Sequence, residues 1–182
     1  MSFISEYKTS IAADLGKKLG EKNPMAIPRL EKIVVNVGMG SWLQGSKDYS
    51  KIVEGVEALS GQKVVVKESR LSVSNFKLRK GMPVGVMVTL RGEKMYEFLE
   101  RFVKVVAPRI RDFSGFSSKS FDGRGNYSFG VKTYEVFPEI HYNGVVKDYG
   151  IQFTVVTSSA GNEGARALLD AFAFPFKKES NS

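Results

Sequence analysis

The chain has 182 residues, with 27 Lys and Arg against 19 Asp and Glu, a single His and no Cys. That length suits one well-packed core, so a single domain over residues 1–182 is expected. The absent Cys excludes disulfides and thiolate zinc sites, the lone His141 could build a metal site only with several carboxylates, and no metal or cofactor is expected. Hydrophobic residues at 42% argue a globular protein. No apolar run nears the roughly 18 residues of a membrane span, and Met1-Ser2-Phe3-Ile4 does not open like a signal peptide, so a cytoplasmic location away from membranes is expected.

Charge is unevenly spread. Residues 61–132 hold 15 of the Lys and Arg but 6 of the Asp and Glu, a local net of +9 in a chain of net +8. Such a block is an electrostatic footprint for a polyanion, most often nucleic acid.

In chain order, Phe3, Tyr7, Ile11 and Leu15 recur every four residues and predict an amphipathic helix over about 1–20, stopped by Gly20 and Pro24. Leu30 to Val37 predicts a strand. Ser46 can cap a second helix carrying Tyr49, Ile52, Val53, Val56 and Leu59, with Gly61 as its stop. Lys63 to Lys67 predicts a strand, and the basic stretch 69–83 lacks a period and predicts a loop. Val84 to Arg91 alternates as a third strand; Met95, Phe98, Leu99, Phe102 and Val103 form the stripe of a third helix that Pro108 ends. Residues 109–130 predict a long Gly- and Ser-rich loop. Ile151 to Thr157 predicts a strand and residues 162–173 a last helix, with a frayed tail from Ser180. The expected fold is α+β, a largely antiparallel sheet with helices packed on one face, the other face open, and two long protruding loops.

Period-two alternation decides what the open face displays. It opposes Lys32, Val34 and Asn36 to Ile33, Val35 and Val37, and Gly85, Met87, Thr89 and Arg91 to Val84, Val86, Val88 and Leu90. Gln152, Thr154 and Val156 oppose Ile151, Phe153 and Val155 in the same way. Lys32, Asn36, Thr89, Arg91, Gln152 and Thr154 together would suit phosphate, ribose and base edges; an ordinary solvated sheet face is the plain alternative. The loop from Arg70 to Gly81 combines four cations with hydroxyls, a phosphate-gripping composition. The loop from Arg109 to Tyr127 interleaves cations with Phe113, Phe116, Phe121 and Tyr127, rings that could stack on bases or staple the loop to the core.

An enzyme needs a site, and none completes. Gly38-Met39-Gly40 begins like a dinucleotide fingerprint, but Leu43 occupies the third small position. A membrane-surface protein would need an amphipathic basic helix, whereas these cations lie in loops and strands.

The residues Pro28 to Ile33, Asn36 to Gly40, Ser60 to Lys63, Phe76 to Arg79, Val88 to Gly92, Ala107 to Phe113, Ser120 to Tyr127 and Phe137 to Ile140 resemble, in order, the family of ribosomal protein five of the large subunit. The resemblance implies a structural, non-enzymatic RNA-binding protein that holds 5S rRNA in the central protuberance, beside 23S rRNA and other protuberance proteins. It implies that Lys32, Asn36, Gln62, Lys63, Thr89 and Arg91 contact 5S rRNA. Arg70, Ser72, Lys77, Arg79 and Lys80 would lie in a loop reaching transfer RNA in the peptidyl site. Arg109, Arg111, Lys119 and Arg124 would face the small subunit, bridging to its protein thirteen, or rRNA. Three positions depart from the family pattern: Leu71 replaces a common Lys, Asn75 a common Gly, and His141 a common acid.

Overall fold

Side-chain alternation sorts the strands into a buried and an open side. The computed structural model describes residues 3–21, 23–40, 49–111, 113–140 and 149–177. Strand β1 (Leu30–Gly38) buries Ile33, Val35 and Val37. β3 (Pro83–Leu90) buries Val86, Val88 and Leu90, and β5 (Ile151–Thr157) buries Ile151, Phe153 and Val155. Each buried aliphatic or aromatic side chain contributes about 1.5–3 kcal/mol, which fixes the register, because a one-residue slip would invert every strand. With β2 (Val65–Glu68) and β4 (Tyr127–Val131), the strands form an antiparallel sheet in the order β2-β3-β1-β5-β4.

Helix α1 runs as Phe3–Glu6, a π turn Tyr7–Ile11 and Ala12–Leu19, ending at Gly20. α2 (Ser50–Ser60) ends where Gly61 takes φ of 62°, a left-handed conformation that an L side chain would disfavour. The expected Ser46 cap lies outside the described residues. α3 (Gly92–Arg101) continues through a π turn, Phe102–Val106, into a 3-10 turn, Ala107–Arg109, so Pro108 sits at the end of the helical run as expected. α4 (Asn162–Ala171) buries Ala165, Leu168 and Leu169. The architecture is the α+β fold with an open sheet that the patterning predicts.

Contacts group the chain into two units, one of Met1–Ile33, Leu90–Phe129 and Thr154–Ser182, the other of Val34–Thr89 and Gly130–Phe153. The first is built on rings. Phe116 lies 5.8 Å from Phe102, 4.8 Å from Phe129 and 5.5 Å from Phe174, while Phe121 meets Tyr127 at 4.6 Å and Phe176 at 6.1 Å. Phe116 also exchanges backbone hydrogen bonds with Pro175 and Lys177, which ties the C-terminal segment to the loop. At the other end of this unit, Phe3 and Tyr7 of α1 meet Phe172, and the Tyr7 hydroxyl donates to the Pro28 carbonyl at 2.9 Å. The second unit packs Tyr134 flat on Tyr149 at 4.5 Å and Phe137 on Phe153, with Ile52, Val56 and Leu59 of α2 buried.

Two segments differ from the sequence expectation. The long loop ends at Asn126, because Tyr127 to Val131 forms β4 with Tyr127, Phe129 and Val131 buried. The stretch 69–82, expected to be a loop, continues the β2–β3 ladder as a hairpin. Ser69 donates its backbone N–H to Met82, Gly81 donates to Ser69, and Val73 and Leu78 exchange a pair of bonds around a 3-10 turn, Ser74–Phe76. The ladder is irregular where the register shifts between Lys67 and Glu68, and a shifted register erases the period that sequence reading relies on.

Candidate nucleic-acid interface

On the open side of β1, Asn36 is exposed and Lys32 half-buried; on β3, Thr89 is half-buried with its side chain opposite Val88 and Leu90. The pairing of Val65 with Met87 and of Lys67 with Gly85 sets those two β2 residues on the same side. Gln62, in the turn between α2 and β2, donates its amide N–H to the Thr89 carbonyl at 3.0 Å. The structure therefore joins Gln62 to Thr89, and its amide oxygen remains an acceptor there. Lys63 beside it is exposed, and Arg91 is exposed just past β3, at the residue that precedes α3. Lys32 and Arg91 belong to the first unit, whereas Asn36, Gln62, Lys63 and Thr89 belong to the second.

Asn36 and Gln152 meet in a feature that sequence reading missed. Together with Gly38, Gly130, Gly150 and Lys132 they line an open recess of about 500 Å³. Lys132 follows β4 directly, and the loop-like composition of the residues before it conceals that strand in the sequence. Its one sequence signal was the alternation of Tyr127, Phe129 and Val131.

The hairpin 69–82 presents Arg70, Lys77, Arg79 and Lys80 to solvent, and among the described residues none of the four pairs with a carboxylate. Ser72 has an internal role, because its hydroxyl accepts the Lys80 backbone N–H at 3.0 Å. Leu71 and Phe76 are 73% and 67% exposed, so the tip offers apolar surface beside its cations. Lys77 closes the turn with φ of 54°, and its N–H reaches the Ser74 carbonyl.

In the third segment the rings turn inward. Phe113, Phe116, Phe121 and Tyr127 pack on one another and on the core, which answers the staple-or-stack alternative in favour of stapling. The cations Arg109, Arg111, Lys119 and Arg124 stay exposed. Arg124 is held by its backbone: Asp122 accepts the N–H groups of Arg124 at 2.8 Å and Asn126 at 3.0 Å, and the Asn126 amide at 2.6 Å. The Asn126 side-chain bond, followed by the two backbone bonds, holds the Asp122 carboxyl below its ordinary value of 3.8. Gly125 approaches Ser159 so closely that a Cβ there would collide with the Ser159 carbonyl, and the buried Thr157 hydroxyl donates to the Gly125 carbonyl.

The turn at Gly38 does not serve a dinucleotide phosphate. Met39 is fully buried and spends its backbone N–H on the Val84 carbonyl, while Leu43 lies outside the described residues, as do Asp112 and His141.

This combination of an open sheet face, an unpaired basic hairpin and a ring-stapled basic loop accompanies a sequence match over nearly the whole chain. Residues 23–79 match the family model of ribosomal protein L5, and residues 83–176 match the model of that ribosomal family's C-terminus. The chain belongs to the ribosomal protein L5 family. It is 50% identical over 171 residues to the large ribosomal subunit protein uL5 of Geobacter sulfurreducens, covering 94% of this chain and 96% of that protein. It is 49% identical to the protein of the same name from Colwellia psychrerythraea over 173 residues, covering 95% and 96%. As a member of the L5 family the chain is a structural component of the cytoplasmic ribosome's large subunit, associates with rRNA and is not an enzyme.

Proposed function

We propose that the chain binds 5S rRNA with the open face of its sheet and anchors it in the central protuberance, next to 23S rRNA and the other proteins there. Lys32, Asn36, Gln62, Lys63, Thr89 and Arg91 are the contacts. The observation that carries this reading is the face itself, on which Asn36, Thr89, Gln152 and Thr154 stand opposite a fully buried side. Uncharged donors and acceptors of that kind discriminate base edges and ribose, while cations supply affinity of a more general kind. The hairpin with Arg70, Ser72, Lys77, Arg79 and Lys80 reaches peptidyl-site transfer RNA, and Arg109, Arg111, Lys119 and Arg124 face the small subunit and its protein thirteen, or rRNA.

Filter binding of the purified chain to 5S rRNA and to an unrelated duplex, repeated across salt concentrations, tests this. Log affinity should fall with log salt by roughly 0.7 to 0.9 per neutralised phosphate. Asn36→Ala or Thr89→Ala should erode the preference for 5S rRNA and leave duplex binding in place. Equal affinity of the intact chain for both RNAs would overturn the proposal.

A further inference from the structure

We infer that the recess bordered by Asn36, Gln152 and Lys132 receives one unpaired, unstacked nucleotide of the bound RNA, the base lying over glycine backbone and its phosphate meeting Lys132. This rests on the reading of the sheet face as an RNA surface and goes beyond it by naming which part of the RNA enters, and where.

The volume, about 500 Å³, falls in the range of roughly 300–1,000 Å³ usual for small-ligand sites. Its floor includes Gly38, Gly130 and Gly150, so no side chain there keeps a flat ring away from the peptide planes. Carboxamides border it at Asn36 and Gln152, and each offers a donor and an acceptor, the pairing that a base edge presents in return. Lys132 is the only charge on its lining among the described residues, and it is exposed. Among the described residues no carboxylate borders the recess. A base inside a duplex is stacked on both faces and cannot enter. Sequence-specific recognition of RNA falls mostly on unpaired nucleotides, whose edges and faces are free. The described lining carries no aromatic ring, so the base is identified by its edge, and peptide planes take the part that ring stacking plays elsewhere.

The glycines make the test clean. A Cβ built at Gly38 meets nothing within 4 Å, and one at Gly130 meets only the Ile151 carbonyl at 3.6 Å, an ordinary contact. Gly38→Val and Gly130→Val therefore fill the recess and leave the sheet intact, which thermal melting verifies for each. Both should weaken 5S rRNA binding by about tenfold or more, the equivalent of losing one well-held base, with binding to an unrelated duplex unchanged. In base-specific chemical probing, the intact chain should protect one unpaired nucleotide that either filled variant leaves reactive, with the other protections kept. Lys132→Ala should weaken binding and flatten the salt slope by about one phosphate. If a folded Gly38→Val or Gly130→Val binds 5S rRNA with wild-type affinity and protection, the recess is an idle surface feature and the inference falls, while the 5S rRNA reading stands. Absence of any 5S rRNA preference in the intact chain would remove both. Saturable binding of a free mononucleotide in competition with the RNA would also overturn it, by making the recess a small-molecule site.

Discussion

Asp122 is exposed, yet its charge is useful to the fold. The Asn126 amide and two backbone N–H groups bond the ionised form and lower the carboxyl's proton affinity, so folding favours the carboxylate. That contribution is complete above the ordinary value of 3.8 and disappears as pH falls through the lower folded value. Protection of the Arg124 and Asn126 amides, measured against their intrinsic exchange rates, should therefore fall on acidification below about pH 4, and Asp122→Asn should abolish that acid step. The buried tyrosines behave in the opposite sense. Burial pushes the hydroxyls of Tyr96, Tyr127 and Tyr149 up to about 12 from 10, so their contribution is present below pH 10 and fades as pH rises toward 12. Phenolate absorbance should lag the normal titration, and stability to denaturant should fall over that interval. Tyr127→Phe, which strands the Ser117 carbonyl now bonded at 2.7 Å, should cost about 1 kcal/mol.

Among the elements, the basic hairpin is the one whose form and charge can be separated by mutation. Lys77 has φ of 54°, where a side chain is strained and Gly is at ease. Lys77→Gly should keep the Val73–Leu78 pairing and remove a cation, whereas Lys77→Ala keeps the strain and removes the same cation. If the hairpin reaches RNA, both variants should flatten the salt slope alike, and amide exchange at Val73 and Leu78 should be slower in the glycine variant. The strands β1, β3 and β5 are legible because burial alternates over five or more consecutive residues of each. β4 was not, since Ser128 and Gly130 prolong the composition of the loop before it and leave three apolar positions to reveal the period. The hairpin escaped for another reason: hydroxyls of Ser69 and Ser72 take part in its bonding, and residue patterns do not report that. The inward turn of Phe116 and Phe121 was open to either reading because their partners Phe102, Phe174 and Phe176 are remote in sequence.

For the whole molecule, charge marks the central basic block and burial sorts its residues. Asn36 lies outside the basic block and would not be found by charge, but alternation found it. Lys132 lies at the block's edge and needed β4 to be seen. The ring cluster sets the stability of the first unit, and its reach into the C-terminal segment can be tested by ending the chain after Ala173. Losing Phe174 and Phe176 removes two rings of the cluster at up to roughly 3–5 kcal/mol each, comparable to the 5–15 kcal/mol that holds an ordinary domain together. The shortened chain should show no cooperative melting transition by circular dichroism; a transition near the wild-type temperature would refute this account of the cluster.

That dependence has a bearing on how the chain is made. Phe102, Phe116, Phe121, Tyr127 and Phe129 are all translated before the two rings that close over them. The nascent polypeptide must carry those earlier aromatics, unsheltered, until Phe176 clears the exit tunnel. A subunit component of the ribosome thus reaches its finished shape only after the ribosome producing it has passed the end of its ring-bearing segment.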